Sequence, residues 1–440
     1  MIISDDQTYT DFGFMGNRRV HTPHLDQLAK RSTVLTHGYV PSSVCRPSLV
    51  TLLTGRYPHQ HGIHFNHPPP GFGKLTRTPT INKSQYDAYR ESAAKLIRDQ
   101  PSLPRILANI GYRCMQTGKY WEGHYRNAGF TDGMTIAEPS GGPQGDKQLP
   151  NGDFVAHGNG DHGLTIGRET MQPIDQFIAD RGDDPFFLWY APFLPHTPHD
   201  APAEFRELFS DRRDVKAHEK PYFAAIAQFD QTVGHVLKVL DHHHLSANTL
   251  VVFLVDNGWR PDPSRFVASR QEWDHTKTSK RAPFESGLRT PILFCWPDQS
   301  ATRTHSGLVS SVDIVPTILA AAEIQTEIDF PGKNLWPTIS GGEPTDTQRA
   351  VFGEIYPGDA SVLGNPSRDV AYRWVRHKHL KLIIPHKHGK KSAWNDYLDG
   401  PALYDVVTDP DEETNLVGHS RYQQDVTRLQ KLLDDWWTPQ

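Results

Sequence analysis

The sequence has few cysteines, no long apolar segment and no large excess of charge of one sign. Its three cysteines, Cys45, Cys114 and Cys295, are too few for a disulfide framework, so they do not indicate a redox compartment. No run approaches the roughly 18 apolar residues of a membrane-spanning helix. The net charge of −5, from 46 basic and 51 acidic side chains, gives no general attraction to nucleic acid or to an anionic membrane. We therefore expect neither nucleic acid nor a membrane among the partners, while the oligomeric state stays open.

The first residues of the chain do not have the pattern of a signal peptide. Its first residues, Met1-Ile2-Ile3, are typical of the end of a buried strand that runs directly into Asp5. We therefore expect a leader and the first half of this strand to lie upstream of the numbering. With such a leader the protein is predicted to be periplasmic or secreted, and without one it is predicted to be cytoplasmic.

Apolar strand patterns alternate with helical patterns along most of the chain. This alternation predicts an α/β fold whose central sheet is covered on both faces. Buried strands are expected at residues 1–4, 112–117, 186–191, 250–255 and 291–296, and helices at 23–31, 222–240 and 312–321. Two stretches, 64–100 and 137–163, lack these patterns and are predicted to be loop insertions.

The length of the chain favours two domains. At 440 residues it is too long for one small core, so one large and one smaller domain are expected. The turn-rich stretch 341–344 predicts the boundary, with a large domain at 1–343 and a small one at 344–440. In the small domain, short strands are expected at 374–384 and 402–407, before an amphipathic helix at 423–436.

Charged and imidazole side chains follow four of the predicted strands. In parallel sheets, active-site residues lie at the carboxyl ends of strands. Carboxylate and amide oxygens there suit Ca²⁺ or Mg²⁺ rather than zinc. Taken singly, an Asp-Asn-Gly is more often a plain turn and an Asp-Asp pair is often a helix cap, but on neighbouring strands they predict a metal site. The residues are Asp5 and Asp6 after the first strand, Lys119 after the second, His196 after the third, and Asp256 and Asn257 after the fourth.

The segment from Ser42 to Gly55 predicts a helix with a cysteine at its start. Ser42 and Ser43 are candidate caps, Pro47 suits a first turn because its missing N–H has no partner there, and Gly55 is a natural stop. Cys45 is therefore expected at or just before the helix N-terminus, where free N–H groups and the dipole favour an anion. A lone cysteine in such a place is more often a buried structural residue, but the residues around this one reverse that expectation.

The run from Cys45 to Arg56 resembles the signature of the type I, formylglycine-dependent sulfatases of the alkaline-phosphatase-like superfamily. In that signature Pro and Ser follow the cysteine and Thr-Gly-Arg closes the run, as Pro47-Ser48 and Thr54-Gly55-Arg56 do here. Further motifs fall in the family's order over nearly the whole chain. They include Asp5-Asp6-Gln7, Thr22-Pro23-His24-Leu25-Asp26, Gly118-Lys119, Pro195-His196-Thr197-Pro198, Asp256-Asn257-Gly258, Lys280, Phe284-Glu285-Ser286-Gly287, Leu403-Tyr404-Asp405, Asp409-Pro410 and Asn415-Leu416.

The resemblance implies a large sulfatase-like α/β domain with a central, mixed but mostly parallel sheet, and a small C-terminal α+β domain with a short antiparallel sheet. It implies that a maturation enzyme oxidises Cys45 to formylglycine, whose hydrated form attacks the sulfur of a sulfate ester. The implied substrate is a sulfated sugar or polysaccharide, and the implied cofactor is Ca²⁺, with Mg²⁺ as the alternative. The implied roles are metal binding by Asp5, Asp6, Asp256, Asn257 and the oxidised Cys45, sulfate binding by Lys119 and Lys280, and protonation of the leaving alcohol by His196.

Two positions depart from the family pattern. Leu49 stands where the family has an arginine that helps the maturation enzyme to recognise the cysteine, so we expect conversion of Cys45 to be less efficient. Trp121 stands where the family has a histidine that contacts the formylglycine. His124 is a candidate substitute, and its alternative is an ordinary surface residue.

Two other interpretations stay open. One is a phosphodiesterase or phosphonate monoester hydrolase of the same superfamily, which also needs a metal and a nucleophile at a helix start. The other is a catalytically impaired relic that binds sulfated glycans, motivated by Leu49 and Trp121. The insertion 64–100 carries basic residues that either line the pocket rim or form a solvated surface: Lys74, Arg77, Lys83, Arg90, Lys95 and Arg98.

Overall fold

The computed structural model describes residues 1–67, 77–142, 145–386 and 394–440, so Lys74 lies outside the described residues. Its largest element is an eight-stranded sheet. The strands of the chain are β1 (Ile2–Ser4), β2 (Thr33–Tyr39), β3 (Arg113–Gly118), β4 (Asp132–Gly133), β5 (Asp146–Gln148), β6 (Phe154–Ala156), β7 (Phe186–Ala191), β8 (Val251–Val255), β9 (Pro261–Val267), β10 (Glu272–His275), β11 (Arg289–Cys295), β12 (Arg303–Ser310), β13 (Ala350–Ile355), β14 (Tyr372–His377), β15 (Leu380–Pro385) and β16 (Ala402–Asp405).

The strand order of the large sheet is β12-β2-β11-β8-β1-β7-β3-β4. Strand β11 runs antiparallel to both of its neighbours, and the other neighbouring pairs are parallel. The central strands are apolar on both faces, as strands of a covered parallel sheet must be. In β1, for example, Ile2 packs into one apolar layer and Ile3 into the other. The predicted mixed, mostly parallel sheet is therefore confirmed.

Helices cover both faces of this sheet. Apolar residues of α1, α6 and α8 pack against one face, and those of α2, α5 and α10 pack against the other. The helices are α1 (Pro23–Ala29), α2 (Cys45–Thr54), α3 (Pro58–His61), α4 (Lys83–Ala94), α5 (Leu103–Ala108), α6 (Gln172–Asp180), α7 (Ala203–Glu207), α8 (Lys220–His242), α9 (Glu285–Leu288), α10 (Ile314–Ala321), α11 (Trp336–Ile339) and α12 (Gln423–Trp436).

The C-terminal part of the chain forms a second, antiparallel sheet of order β13-β14-β15-β16. Helix α12 covers one face of it through Leu429 and Leu433, which pack against β14, β15 and β16. This confirms the predicted short antiparallel sheet, while the domain boundary near 343 stays a prediction. Among the residues that the structure describes, no helix has the length and apolar character needed to cross a membrane.

The two stretches predicted to be loop insertions contain regular structure. Helix α4 lies within 64–100, and its N-terminus is capped by Asn82, which accepts a hydrogen bond from the Gln85 backbone N–H. Strands β5 and β6 pair as a hairpin within 137–163. The loop prediction is wrong for these segments because both are short and mostly polar, so they lack a strong apolar period.

Candidate active site

Helix α2 places Cys45 in its first turn, at the edge of the large sheet. The capping residue is Val44, and no side chain caps the helix. The prediction that Ser42 and Ser43 supply the cap is wrong, because the Ser43 hydroxyl donates instead to the Ala282 carbonyl (2.7 Å). Gly55 ends the helix in the left-handed conformation (φ 65°), as predicted. Cys45 is only 1% exposed, so its side chain is enclosed by the groups described next.

The acidic residues that follow β1 and β8 lie side by side because these two strands are neighbours and parallel. The Asn257 amide donates to Asp6 Oδ1 (2.6 Å), and the Asp6 backbone N–H donates to Asp256 Oδ1 (3.1 Å). Asp6 has a φ of 65°, a conformation that residues other than glycine adopt rarely and that occurs at functional sites. Asp5 lies 3.9 Å from the Cys45 Sγ.

Two buried lysines approach these carboxylates. Lys119 follows β3, and its Nζ lies 2.9 Å from Asp5 Oδ2 and 3.5 Å from Cys45 Sγ. Gly118 before it has a φ of 77°, and a Cβ at this position would lie 1.9 Å from the Ala191 carbonyl oxygen, so a larger residue would push β3 away from β7. The Lys280 Nζ donates to Asp6 Oδ2 at 2.5 Å.

His196 follows β7 and completes the group. Its Nδ1 lies 2.6 Å from the Thr197 carbonyl oxygen, which can only accept, so Nδ1 carries the proton of this hydrogen bond. Its Nε2 lies 3.2 Å from the Lys280 Nζ and 3.3 Å from Asp6 Oδ2. Each of the site residues expected from the sequence therefore contacts at least one other of them. We call the residues around Cys45 the strand-end cluster: Asp5, Asp6, Lys119, His196, Asp256, Asn257 and Lys280.

The charges of the strand-end cluster shift one another's pKa values strongly. Burial and then the charges of Asp5 and Asp6 raise the pKa of Asp256 well above its usual value. Burial opposes ionisation of Asp6 as well, but Lys280 and His196 outweigh it and hold the pKa of Asp6 below its usual value. Burial raises the pKa of the unmodified Cys45 thiol to about 12.

Two buried oxygens of the cluster have neither a hydrogen-bond partner nor an ion-pair partner among the described residues. They are Asp256 Oδ2 and Asn257 Oδ1. A buried polar atom without a partner costs free energy, so native structures rarely keep one without a further ligand. In addition, one candidate ligand atom each from Asp5, Asp6, Cys45 and His196 lies within 4.8 Å of the others. This oxygen-rich donor set fits a hard divalent cation such as Ca²⁺ or Mg²⁺.

The two positions that depart from the family pattern have apolar and aromatic surroundings. Leu49 is buried in the apolar layer between α2 and the sheet. Trp121 is also buried, and its ring packs edge-on against His67 and His157, with 5.6 Å between ring centroids in each case. His124 instead contacts the ring of Tyr125 and accepts a hydrogen bond from the Arg126 backbone. The structure does not place His124 against any described residue of the strand-end cluster, so its proposed substitution for Trp121 is not supported.

A buried ion pair next to Cys45 was not expected from the sequence. The Arg46 guanidinium donates to both Glu122 oxygens at 2.7 and 2.6 Å, and both side chains are 1% exposed. Arg46 also packs on the ring of Phe65, 4.8 Å from its centroid. Because Arg46 follows Cys45 and Glu122 lies three residues after Lys119, this pair fixes the start of α2 against the loop that carries Lys119.

Comparison with known proteins gives consistent matches over the whole chain. A family model described as Sulfatase matches residues 1–324, and one described as N-sulphoglucosamine sulphohydrolase, C-terminal, matches residues 273–438. Arylsulfatase A of Homo sapiens is 27% identical over 464 residues, which cover 95% of this chain and 83% of the relative. An ulvan-active sulfatase of Formosa agariphila is 24% identical over 463 residues, covering 98% and 78%.

Solved structures resemble the fold along its full length. Ps i-CgsB in complex with k-i-k-neocarrahexaose aligns with a TM-score of 0.69 at 22% identity, covering 100% of this chain and 92% of that one. BT4656 in complex with its substrate D-glucosamine-2-N,6-O-disulfate aligns with a TM-score of 0.69 at 18% identity, covering 99% and 96%.

Proposed function

Because the chain belongs to the sulfatase family and is a sulfuric ester hydrolase, we propose that it removes sulfate from a sulfated sugar or polysaccharide, with a formylglycine made from Cys45 and a bound divalent cation. The observation that carries the proposal is the pair of buried oxygens without a partner, Asp256 Oδ2 and Asn257 Oδ1, on residues that are hydrogen-bonded to Asp6 in the strand-end cluster around Cys45. Three similar proteins support a glycan as the substrate. One relative is an ulvan-active sulfatase, and two similar structures contain k-i-k-neocarrahexaose and D-glucosamine-2-N,6-O-disulfate.

The charge of the strand-end cluster suits both a cation and a sulfate ester. With Asp5, Asp6 and Asp256 ionised and Lys119 and Lys280 protonated, the cluster carries a formal charge of about −1. A divalent cation held by Asp5, Asp6, Asp256, Asn257 and position 45 changes this charge to about +1, which complements the single negative charge of a sulfate ester. Such a cation supplies Lewis-acid stabilisation of negative oxygen, and formylglycine supplies a hydrated aldehyde as the nucleophile.

The lysines and the histidine of this chain have separate tasks in this mechanism. Lys119 lies 3.5 Å from Cys45 Sγ, so its ammonium group can hold a sulfate oxygen at the nucleophile. Lys280 donates a hydrogen bond to Asp6 and lies beside His196, so its ammonium group can hold a second sulfate oxygen there. Because Nδ1 of His196 donates to the Thr197 carbonyl, a proton for the departing alcohol oxygen must come from Nε2, which carries one only when the ring is the doubly protonated imidazolium.

The proposal is tested by two measurements on one preparation. The chain is co-expressed with a formylglycine-generating maturation enzyme, and the mass of the peptide that spans Cys45 is measured. We expect a fraction of this peptide to have lost the thiol, a partial fraction because Leu49 replaces the recognition arginine. Turnover of nitrophenyl sulfate should rise in proportion to that fraction, whereas turnover of a nitrophenyl phosphate diester should stay far lower.

A fully active preparation with an unmodified Cys45 would contradict the formylglycine mechanism. Faster hydrolysis of the phosphate diester than of the sulfate would contradict the substrate assignment. As a matched control, Cys295→Ala removes another buried cysteine, outside the strand-end cluster, and should keep the activity.

A further inference from the structure

An open cavity of about 650 Å³ lies beside the strand-end cluster. Asp6, His196 and Lys280 form part of its lining, so the cavity reaches the position proposed for the sulfate and its leaving group. Most of the rest of the lining comes from the β9–β10 hairpin, from the segment 277–281 and from Asn395 and Tyr397 between β15 and β16. Its volume exceeds what one sulfate group fills and is in the range of pockets that enclose a small ligand. The cavity is therefore large enough for sugar units around the reacting sulfate.

The cations that line this cavity fall into two groups. Three of them have acidic partners: Lys280 pairs with Asp6, Arg265 with Asp274 (2.6 Å) and Arg270 with Glu272 (2.8 Å). Lys277 and Arg281 have no ion-pair partner among the described residues, and Lys277 is exposed. The charges of Lys277 and Arg281 are thus available to a bound anion.

Arg281 differs from an ordinary surface arginine in its burial. Its side chain is only partly exposed, and its Nε is buried without a hydrogen-bond partner among the described residues. Burial raises the pKa of Tyr397, while a hydrogen bond from Asn395 and the positive charge of Arg281 oppose that rise. The charge of Arg281 therefore acts on another residue of the same cavity, and no acid among the described residues forms an ion pair with it.

The backbone fixes where Arg281 stands. Its φ is 69°, in the left-handed region that residues other than glycine rarely adopt. Its N–H donates to the Ser43 carbonyl (2.8 Å), two residues before Cys45. Arg281 also follows Lys280 directly. The backbone of Arg281, and so the point from which its side chain enters the cavity, is consequently fixed relative to the nucleophile and to Lys280.

We propose that Arg281, assisted by Lys277, forms a second anion subsite that binds a further sulfate group of the same glycan while the first is hydrolysed. The inference rests on the proposed function, because it assumes a sulfated glycan at the strand-end cluster. Arginine suits this task since its planar guanidinium donates two parallel hydrogen bonds to an oxyanion. The preferred substrates are therefore glycans with at least two sulfate groups close together.

The subsite is tested by inhibition of nitrophenyl sulfate hydrolysis with matched pairs of sugars. One pair is glucosamine with one or with two sulfates, and the other is a carrageenan disaccharide with one or with two sulfates. In the wild-type protein, the disulfated member of a pair should bind more tightly than the monosulfated one. Arg281→Gln should raise the inhibition constant of the disulfated member by roughly 10- to 100-fold, the range expected for lost charged hydrogen bonds. It should change the inhibition constant of the monosulfated member and the hydrolysis of nitrophenyl sulfate by less than about threefold, because neither needs the second subsite.

Two further variants make the test specific to this position. Arg281→Lys keeps the charge and should retain part of the preference for two sulfates. Arg270→Gln removes a cation of the same cavity that is already paired with Glu272, and should leave the preference unchanged. Equal losses for Arg270→Gln and Arg281→Gln, equal weakening of both members of a pair, or an unchanged preference in Arg281→Gln would each overturn the subsite. If the wild-type protein, converted at Cys45, does not hydrolyse nitrophenyl sulfate, the proposed function fails, and calorimetric titration with the same sugars still decides the subsite.

Discussion

Among the residues that the structure describes, two buried clusters of charged side chains can be compared, because both contain acids and cations but their hydrogen bonds and ion pairs differ. The first is the strand-end cluster. The second lies between α9 and the small antiparallel sheet, and its members are Glu285, Arg376, Lys381 and Glu412. We call it the interdomain cluster because its members lie on both sides of the predicted domain boundary. In the interdomain cluster, Lys381 Nζ lies 3.3 Å from Glu285 Oε1 and 3.0 Å from Glu412 Oε1, and Arg376 lies 3.3 Å from Glu285.

The two clusters differ in their net charge and in whether they contain buried oxygens without a partner. The interdomain cluster has two acids and two cations, so its members neutralise one another. The strand-end cluster has three carboxylates and two lysines, and Asp256 Oδ2 and Asn257 Oδ1 have no partner among the described residues. Burial of charge alone therefore does not indicate function, because both clusters are buried. An excess of carboxylates together with unpartnered buried oxygens does indicate function, because a ligand from outside the chain is needed to balance the charge and bond to these oxygens.

The largest effect that we predict separates activity from stability at the strand-end cluster. Asp256→Asn keeps the Oδ1 acceptor but removes a charge from the proposed cation site, so kcat/KM for nitrophenyl sulfate should fall by about 10³-fold or more. The free energy of unfolding should not decrease, because the change also removes a buried carboxylate that Asp5 and Asp6 disfavour. Steady-state kinetics and denaturant unfolding measure the two quantities. Asp262→Asn, on the β9 strand, is the control, and a similar loss of activity there would contradict the assignment.

The opposite result is expected at the interdomain cluster. Lys381→Met leaves Glu285 and Glu412 without their shared cation, so the free energy of unfolding should fall by about 3–5 kcal/mol. The activity of the molecules that remain folded should be unchanged. Lys333→Met is the matched control, because it removes an exposed ion pair with Asp346 and should cost under about 1 kcal/mol. If Lys381→Met reduced activity without reducing stability, the distinction between the two clusters would be lost.

A change at His196 tests the division of labour within the strand-end cluster. His196→Ala should slow hydrolysis of alkyl sulfates by about 10²-fold or more, since the alcohol that leaves needs a proton. Hydrolysis of nitrophenyl sulfate should be affected much less, because its leaving group departs as an anion. His235→Ala, a surface histidine paired with Asp175, serves as the control. Equal losses on both substrate types would show that His196 binds sulfate or holds structure.

The smallest predicted effect is the stabilisation of the folded chain by a cation. Ca²⁺ at about 100 times its dissociation constant should raise the free energy of unfolding by about 2.7 kcal/mol, measured against a chelator. The increment should vanish in Asp256→Asn and persist in Lys381→Met. An increment that survives in Asp256→Asn would place the cation elsewhere on the chain.

The sequence was most informative where burial leaves a continuous apolar pattern. Strand β7 has the predicted bounds, and β1, β3, β8 and β11 begin and end within two residues of them. Strands β2 and β12 were not predicted, because they mix Thr, His and Arg with apolar residues and do not form apolar runs. Helix α4 was missed as well, although Asn82 and Gln85 have the spacing of a capping box and could have indicated its start.

Residues at strand ends could be located from the sequence for the same reason. Once β1 and β8 are predicted to be parallel neighbours, Asp5, Asp6, Asp256 and Asn257 must meet at one edge of the sheet. The contact between Arg46 and Glu122 could not be predicted, because it joins residues 76 positions apart through a loop. The same holds for Arg281, whose importance depends on which neighbouring cations are already paired. Sequence patterns give the elements, whereas loop-to-loop contacts depend on tertiary packing.

The burial of Cys45 determines whether its proposed conversion must come before or after folding. A side chain that is 1% exposed in the first turn of a buried helix cannot enter the active site of another enzyme. The proposed conversion to formylglycine would therefore compete with folding, and each molecule would have one interval in which it can be converted. Conditions that delay folding, such as a lower temperature during synthesis or slower translation through the first half of the chain, lengthen this interval. The yield of active protein is then set by two rates, that of folding and that of conversion, and molecules that fold first remain inactive.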